Sequence, residues 1–280
     1  MAIIMDGKAL AAKMKEGFRA EVEKLPRRPG LAVIIVGENP ASKVYVRNKE
    51  KDCEECGIAS QEYKLPEETT ENMLLELIDT LNGSSTVDGI LVQLPLPKHI
   101  DEKKIINAIA PDKDVDAFHP VNVGHIMTGD FTFLPCTPAG IMRLLEEYKI
   151  NIEGKNCVVL GRSNIVGKPM AMLLLHKNGT VTMCHSKTAD MKAEACRADV
   201  LVTAIGKTGI VTGDMIKPGA VVVDVAMNRN AEGKLCGDCV FDEVEKAASY
   251  ITPVPGGVGP MTRVMLMQNT LTAARKHQGA

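Results

Sequence analysis

The stretch "CVVLGRSNIVGKPM", residues 157–170, has the pattern of a buried strand, a glycine turn and the start of a helix. Gly161 stands where the strand ends, and Gly167 stands where the helix begins. Small residues at such a turn let backbone N–H groups approach a pyrophosphate, and the helix N-terminus adds partial positive charge. The pattern therefore indicates a dinucleotide site. Because Ser163 replaces the second glycine of the G-x-G-x-x-G fingerprint, a plain tight turn stays open as an alternative.

The segments that follow this turn alternate between short apolar runs and helical patterns. After the helix "GKPMAMLLLHKNG" come the strand "TVTMCH", the helix "ADMKAEACRA" and the strands "DVLVTAIG" and "AVVVDVAMN". Such alternation predicts a parallel sheet that is covered by helices on its faces. We therefore expect a doubly wound, Rossmann-type α/β domain around the glycine turn.

The first half of the chain alternates in the same way and predicts a second α/β domain. A helix over residues 8–25 is followed by the strands "LAVIIVG", "IASQEYKL" and "DGILVQLPLP", with helices around Tyr45 and at "TENMLLELIDTLN" between them. The helix "TPAGIMRLLEEY" links the halves, with Thr137 as its predicted N-cap and Pro138 at its first position. The segment "TRVMLMQNTLTAARKHQ" predicts a terminal helix.

Composition and charge narrow the classes of partner. The chain has 280 residues, of which 45% are hydrophobic and 24% charged, and its formal net charge is −2. Nucleic-acid and membrane partners usually require a basic balance or a basic patch, so a small-molecule substrate is expected instead. No apolar run reaches the length of a membrane span, and the N-terminus lacks the order of regions in a signal peptide. These features predict a cytoplasmic protein.

The chain contains two C-x-x-C pairs, Cys53/Cys56 and Cys236/Cys239. Two such pairs could together supply the four ligands of a structural zinc site, so a metal- or redox-switched binding protein is one alternative. Nearly the whole chain separates the pairs, however, and the first pair lies in a helical pattern. We therefore expect ordinary thiols and no bound metal.

The residues at the end of the strand "TVTMCH" bear on the choice of cofactor. NAD-binding domains usually have an acidic residue here that binds the adenosine ribose. In this chain the place is taken by His185, Ser186 and Lys187, and Arg162 lies in the glycine turn. Hydrogen-bond donors and cations suit a 2′-phosphate, which a carboxylate would repel. We therefore predict that the cofactor is NADP and not NAD. The alternative is that these residues form a solvated loop without a role in binding.

Several stretches together resemble one known family. They are, in chain order, "SKVYVRNKEK", "DGILVQLPLP", "PDKDVDAFHPVNVG", "PCTPAG", "GRSNIVGKPM", "VTMCHSKT" and "TPVPGGVGPMT". Their order and spacing are similar to those of the bifunctional methylenetetrahydrofolate dehydrogenase/methenyltetrahydrofolate cyclohydrolase (FolD) family, and the resemblance covers essentially the whole chain.

The resemblance implies a homodimer of chains with two α/β domains and folate bound in a cleft between the domains. Residues 1–138 with 264–280 would form the folate-binding catalytic domain, to which the last helix returns, and residues 139–263 the NADP-binding domain. The implied reactions are oxidation of 5,10-methylenetetrahydrofolate by NADP and hydrolysis of the product to 10-formyltetrahydrofolate. A monofunctional dehydrogenase is the nearest alternative, which the presence of Lys49, Tyr45 and Gln93 disfavours.

The resemblance places the catalytic lysine at Lys49, on a charged helix that spacing alone would assign to a solvated surface. It implies that Gln93 orients this lysine, that Ser42 supports it, and that Tyr45 stacks on the folate ring. Burial and the positive charge of the methenyl intermediate would favour the neutral amine, which general acid/base catalysis of the hydrolysis requires.

Further residues are implied in binding. Asp116 would accept hydrogen bonds from the ring N–H and the amine of the pterin, while Asp114, which points the other way in an extended segment, is expected to be structural. The folate would also contact Val92, Leu94, Pro95, Pro255, Gly256 and Gly257. The implied cofactor-binding residues are Gly161, Arg162, Ser163, Val166, Gly167, His185, Ser186, Ile205 and Gly206. The roles of Arg263 and of the stretch "GKLCGDC" stay unexplained.

Overall fold

The computed structural model describes residues 1–38 and 40–279, with the side chains of residues 40–46 left out. Its helices are α1 (Gly7–Val22), α2 (Pro40–Cys56), α3 (Glu71–Gly83), α4 (Glu102–Ala108), α5 (Pro120–Thr128), α6 (Cys136–Glu147), α7 (Gly167–His176), α8 (Met191–Ala195), α9 (Phe241–Ala247) and α10 (Val258–Gln278). Its strands are β1 (Ile3–Ile4), β2 (Gly30–Val36), β3 (Ala59–Leu65), β4 (Gly89–Val92), β5 (Asn156–Leu160), β6 (Thr180–Cys184), β7 (Val200–Thr203), β8 (Val221–Asp224), β9 (Asn228–Arg229), β10 (Leu235–Cys236) and β11 (Tyr250–Ile251).

The chain forms two compact α/β units. The Rossmann unit comprises Met1–Ala12 and Thr137–Thr262, and the lysine unit comprises Lys13–Cys136 and Arg263–Ala280. Within the parts of the chain that the structure describes, no helix combines the length and the apolar character needed to cross a bilayer.

The Rossmann unit is built on a parallel sheet, which among the described residues has the strand order β1-β11-β8-β7-β5-β6. Strands β7 and β8 are buried along their whole length, and Val158, Leu160 and Val222 lie in the core. Strand β6 lies on one side of β5 and the later strands lie on the other, so the strand order reverses at β5. In doubly wound sheets ligands bind outside the carboxyl ends of the strands at such a reversal.

The lysine unit contains a parallel sheet with the order β3-β2-β4 in the described residues. Every residue of β2 is buried, as expected for a central strand that helices cover on both faces. Helix α3 packs Leu74 and Ile78 into the core, and the hydroxyl of Thr70 caps it by accepting from Met73 N at 3.3 Å.

Most of the expected strands and helices are present, and the two-unit α/β fold is confirmed. Strands and helices with a strong apolar period are recovered within a few residues of their expected bounds. The sequence analysis missed β1, α4, α5, α9, β11 and the short β9–β10 hairpin, whose patterns are too short to show a period.

Three expected boundaries were wrong. Helix α6 begins at Cys136, so Thr137 is not its N-cap, and the Thr137 hydroxyl instead pairs with that of Thr262 at 2.9 Å. Strand β4 ends at Val92, after which Gln93 N makes one more bond to Ile34 O and the proline-containing stretch leaves the sheet. The run "AVVVDVAMN" ends as a strand at Asp224, whose carboxylate accepts from Ala226 N at 3.3 Å and turns the chain.

The N-terminal residues cluster differently from the expected boundaries, which grouped residues 1–12 with the folate-binding domain. Ile3 and Ile4 instead pair with Tyr250 and Ile251 and add an edge strand to the Rossmann sheet. Two adjacent apolar residues carry no recognisable strand pattern, so this pairing is decided by the sheet edge that is available.

Candidate active site

Lys49 and Gln93 are brought together in the lysine unit. The half-buried Lys49 side chain, from α2, donates from Nζ to Oε1 of Gln93 at 3.0 Å. Gln93 follows β4 directly, and its backbone N–H donates to Ile34 O at 2.8 Å. Its side-chain Nε2 donates to Leu94 O, also at 2.8 Å, which turns the amide oxygen toward the lysine. The amide thus accepts from Lys49 without adding a charge.

Helix α2 is held by a buried carboxylate one turn beyond Lys49. Asp52 is 3% exposed, and its two oxygens lie 3.0 Å from Lys15 Nζ and 2.9 Å from Arg263 Nη1. Arg263 also donates to Asn48 O at 3.4 Å. Residues from α1 and α10 therefore fix the part of α2 that carries Lys49, which accounts for Arg263. The sequence analysis missed Asp52 because its partners are distant in the chain.

Asp116 is half-buried at the end of the segment "KDVD". Burial of the carboxyl raises the pKa of Asp116 to about 6, while the neighbouring Lys49 acts in the opposite direction. The Sγ of Cys136 lies 3.8 Å from Asp116 Oδ1 and 3.6 Å from Val115 O. Asp116 is thus a carboxylate whose protonation changes close to neutral pH.

Asp114 and Lys113 hold this segment in place. The buried Asp114 carboxylate accepts from His119 N and from Asn122 Nδ2, both at 2.8 Å. Burial raises the pKa of Asp114 and lowers that of Lys113. Lys113 Nζ donates to three carbonyl oxygens at the end of α3, those of Leu81, Asn82 and Ser84. Asp114 therefore has structural partners, in line with its expected role.

The other expected folate-binding residues of the lysine unit differ in exposure. Val92 is buried in the core, Leu94 packs partly against that core, and Pro95 is exposed. Ser42 and Tyr45 precede Lys49 on α2 by seven and four positions. Their side chains lie outside the residues whose side chains the structure describes.

In the Rossmann unit, the glycine turn lies at the point where the strand order reverses. Gly161 has φ +121°, and a Cβ there would lie 2.4 Å from Ala204 O, at the end of β7. A Cβ at Gly167 would lie 2.2 Å from Gly161 O. Both glycines are therefore required by close backbone approach, and the turn lies where the fold class binds its ligand.

Ser163, which stands in the place of the second glycine, is hydrogen-bonded inside the turn. Its hydroxyl accepts from Val166 N at 3.1 Å and Gly167 N at 3.3 Å. Among the described residues, none accepts from the backbone N–H of Asn164 or Ile165. These N–H groups are available to an anion, so the turn fits the pyrophosphate of a dinucleotide.

The end of β6 presents donors and a cation. His185 N donates to Thr188 Oγ1 at 2.9 Å, and Lys187 N donates to His185 Nδ1 at 3.1 Å. Ser186 and Lys187 are exposed, as is Arg162 in the glycine turn after the neighbouring strand β5. The loop has a defined shape and carries no carboxylate between residues 185 and 188, which suits a phosphate better than a ribose hydroxyl.

The loops after β7 and β11, which contain expected binding residues, are both held by hydrogen bonds. Ile205 N and Gly206 N donate to the Asp238 carboxylate, which the sequence analysis did not identify. In the loop after β11, Gly257 N donates to Pro253 O at 2.8 Å and Gly256 O accepts from Lys8 N at 2.9 Å. Pro255 is exposed.

The two C-x-x-C pairs lie in different units. Burial raises the pKa of both Cys53 and Cys56 to about 12, which keeps them as thiols. Cys53 Sγ lies 3.5 Å from Met267 Sδ. Within residues 1–38 and 40–279, no three His, Cys, Asp or Glu side chains are grouped as a metal site would need.

Two family models match the chain. The catalytic-domain model of tetrahydrofolate dehydrogenase/cyclohydrolase covers residues 5–116, and the NAD(P)-binding-domain model of the same family covers residues 135–278. The chain belongs to the tetrahydrofolate dehydrogenase/cyclohydrolase family. Lys49, Gln93 and Asp116 fall within the catalytic-domain match, and the glycine turn falls within the NAD(P)-binding match.

Relatives in this family match over nearly their full lengths. The bifunctional protein FolD of Ruminiclostridium cellulolyticum is 60% identical over 280 residues, covering 99% of this chain and 98% of that protein. The crystal structure of the bifunctional enzyme FolD from Campylobacter jejuni has 51% identity and a TM-score of 0.97, with 99% of each chain covered. The FolD of Trypanosoma brucei, solved with NADP cofactor and inhibitor, has 40% identity and a TM-score of 0.94, with 98% of each chain covered.

Proposed function

We propose that this protein oxidises 5,10-methylenetetrahydrofolate with NADP and hydrolyses the resulting 5,10-methenyltetrahydrofolate to 10-formyltetrahydrofolate. The observation that carries the proposal is the 3.0 Å contact from Lys49 Nζ to Gln93 Oε1, in a chain that matches both domains of the family. Relatives at 56–60% identity bear the name of a bifunctional protein, which favours two activities over a dehydrogenase alone.

In the hydrolysis, Lys49 acts as the general acid/base. The neutral amine takes a proton from water as the water oxygen bonds to the methenyl carbon. The resulting ammonium then gives a proton to the N5 nitrogen as the bond between N5 and that carbon breaks, while the hydroxyl proton of the adduct is released to solvent and the C=O bond forms, which leaves the formyl group on N10. Gln93 orients the amine because its oxygen accepts from Nζ while its own Nε2 is held by Leu94 O.

In the oxidation, the chain binds and aligns the reactants. NADP supplies a hydride acceptor at C4 of its nicotinamide. Gly161 and Gly167 let the backbone approach the pyrophosphate, with the N–H groups of Asn164 and Ile165 as donors. Arg162, Ser186 and Lys187 are the groups for the 2′-phosphate. These assignments agree with the hydrogen-bond donors and cations that lie at the ends of β5 and β6.

Folate recognition rests on Asp116. An ionised carboxylate accepts from the pterin ring N–H and from the exocyclic amine side by side. Tyr45 stacks on the ring system, Ser42 supports Lys49, and the remaining folate contacts come from residues 92–95 and 255–257. We further propose that the protein is a homodimer in the cytoplasm. Its product, 10-formyltetrahydrofolate, would supply formyl groups for purine biosynthesis.

The proposal is tested by a time course of the purified protein with 5,10-methylenetetrahydrofolate, with NADP and NAD in parallel. Reduced nicotinamide and the methenyl compound are recorded separately. NADPH that forms while methenyl stays below it, with hydrolysis faster than the spontaneous rate, supports both activities. Equal rises of NADPH and methenyl contradict the cyclohydrolase assignment, and the lack of any reduced cofactor contradicts the whole proposal.

Lys49→Ala separates the two reactions, with Lys51→Ala as the matched control because Lys51 is an exposed lysine on the same helix. Loss of a general acid/base predicts a fall in cyclohydrolase rate of about 100-fold or more. The Lys51 variant is expected to keep both activities, and equal cyclohydrolase losses in both variants exclude a specific role for Lys49.

A further inference from the structure

The stretch "GKLCGDC", residues 233–239, contains a buried carboxylate that faces the loop after β7. Asp238 is fully buried at 0% exposure. Its Oδ2 accepts from Ile205 N at 2.7 Å and Gly206 N at 3.3 Å, and its Oδ1 accepts from Lys207 N at 2.8 Å. Three consecutive backbone N–H groups thus converge on one side chain.

Two side chains complete the set of donors to this carboxylate. Thr203 Oγ1, at the end of β7, donates to Oδ2 at 2.8 Å, and Asn228 Nδ2, in β9, donates to Oδ1 at 3.0 Å. Each oxygen of Asp238 therefore accepts at least two hydrogen bonds. A carboxylate that is saturated in this way compensates its own burial and fixes the groups that surround it.

A second buried carboxylate fixes the position of Asp238 itself. Asp224, at the end of β8, accepts from Asp238 N at 3.0 Å and from Cys239 N at 2.8 Å. A Cβ at residue 237 would lie 1.9 Å from Asp224 Oδ2, which explains the glycine in "CGDC". Burial raises the pKa of Asp224. The two residues between the cysteines, a glycine and an aspartate, are thus each required by the fold, and this accounts for the C-x-x-C spacing here.

The same network reaches the loop after β11. The Thr252 hydroxyl donates to Asp224 O at 3.1 Å and accepts from Asp224 N at 2.8 Å. Thr252 is fully buried and directly precedes the proline- and glycine-rich loop over residues 253–257. Asp238, Asp224 and Thr252 therefore join the ends of β7, β8 and β11 at the carboxyl edge of the sheet, where this fold binds its ligand.

We infer that Asp238 is the positioning residue of the cofactor site, and that its carboxylate holds the loop of Ile205, Gly206 and Lys207 in the shape that binds NADP. The inference rests on the proposed function for the identity of the cofactor. It has a geometric consequence, because the N–H groups of Ile205 and Lys207 are already used by Asp238. The loop then contacts the cofactor through its carbonyl groups and side-chain atoms, and the phosphates are left to the turn after β5.

Asp238→Asn is the variant that tests this role. An amide in place of the carboxylate puts an NH2 group against two donors if it takes the place of Oδ1 and against three if it takes the place of Oδ2, and these donors lose their acceptor. Asp242→Asn is the matched control, since it removes the same charge from an exposed position four residues along the chain. NADPH affinity is measured directly by titration of each purified full-length variant, so the readout does not depend on catalysis.

The expected result is a loss of NADPH affinity of about tenfold or more in Asp238→Asn, the size that unpaired buried donors produce, with the Asp242 variant unchanged. Cyclohydrolase activity on added methenyltetrahydrofolate, which needs no NADP, is expected to stay at the wild-type rate. Unchanged NADPH affinity in a folded Asp238 variant overturns the inference and leaves the proposed function intact. A wild-type protein that binds no NADPH contradicts the proposed function instead.

Hydrogen exchange on the wild-type protein decides the case in which Asp238→Asn does not fold. The amides of Ile205 and Lys207 lie in a loop, yet their bonds to a buried carboxylate predict slow exchange in the absence of cofactor. Exchange at the rate of an open loop overturns the inference. Protection at both amides supports it.

Discussion

Nζ of Lys49 lies 3.0 Å from Oε1 of Gln93, although 44 positions separate the two residues in the chain. Lys49 comes from helix α2 and Gln93 from the residue after strand β4, so the fold of this unit brings the pair together. Replacing Gln93 by Leu removes the acceptor and lets the amine rotate. We expect the cyclohydrolase rate to fall by about tenfold or more, the size of one lost hydrogen bond that positions the catalytic amine. Gln61→Leu, at an exposed position of strand β3, is the control, and equal rates in the two variants contradict the assignment.

Asp52 is expected to stabilise the protein through its two cations. Asp52→Ala leaves Lys15 and Arg263 without their shared partner in a largely buried place, while both cations keep some access to water. We expect a loss of about 1–3 kcal/mol in the free energy of unfolding, measured with urea. Glu54→Ala, at an exposed position on the same helix, is expected to change stability by less than about 0.5 kcal/mol. A similar loss in both variants contradicts the buried role.

The raised pKa of Asp116 predicts a definite sign for the effect of pH on stability. The pKa of this carboxyl moves from its ordinary 3.8 to about 6 in the folded protein, so the folded state holds the proton more tightly. Between these values the unfolded chain loses the proton first, and stability contributed by Asp116 therefore falls as pH rises from 3.8 to about 6.

Asp116→Asn removes the pH-dependent contribution of this carboxyl to stability. Wild-type and variant unfolding curves compared across the same pH range should converge at the acid end and differ most above about pH 6, where the wild type alone holds a charged carboxylate at this half-buried position. Folate binding should become tighter as pH rises to about 6, since only the ionised carboxylate accepts from the pterin. A KM for folate that is flat through pH 6 in the wild type would count against the pterin role of Asp116.

Two glycine-to-alanine changes are expected to act in opposite directions. At Gly161 the backbone is left-handed and a Cβ would meet Ala204 O, so Gly161→Ala should cost more than about 2 kcal/mol and weaken NADPH binding. Gly17 lies inside helix α1, and a Cβ there meets nothing within 4 Å. Gly17→Ala should therefore stabilise the protein by about 0.5–1 kcal/mol. Thermal unfolding measures both, and a stabilising Gly161→Ala would refute the close approach.

Preference for NADP is expected to depend on Lys187. Lys187→Glu places a carboxylate at the end of β6 and should lower the ratio of kcat/KM for NADP to that for NAD by about tenfold or more. Lys155→Glu is the control, because Lys155 lies just before the opposite, amino end of β5. If the ratio stays constant in Lys187→Glu, the 2′-phosphate is bound elsewhere.

The sequence by itself determined the parts of this protein that depend on local pattern. The apolar runs of β2, β5, β7 and β8, the period of α3 and the glycine turn between β5 and α7 could be recognised within a few residues. Each of these signals comes from residues that are close in the chain and that respond to the same burial, which is why a pattern reveals them.

Only the tertiary structure decided which distant groups meet. The pairing of β1 with β11, the ion pairs of Asp52 and the hydrogen bonds from the β7 loop to Asp238 all join segments far apart in sequence. A buried carboxylate has the same local pattern whether it coordinates a metal, binds a ligand or holds a loop. Its partners are set by the parallel sheets, which bring the ends of non-consecutive strands to one edge, and this is why the hydrogen bonds made by "GKLCGDC" became visible only in the folded chain.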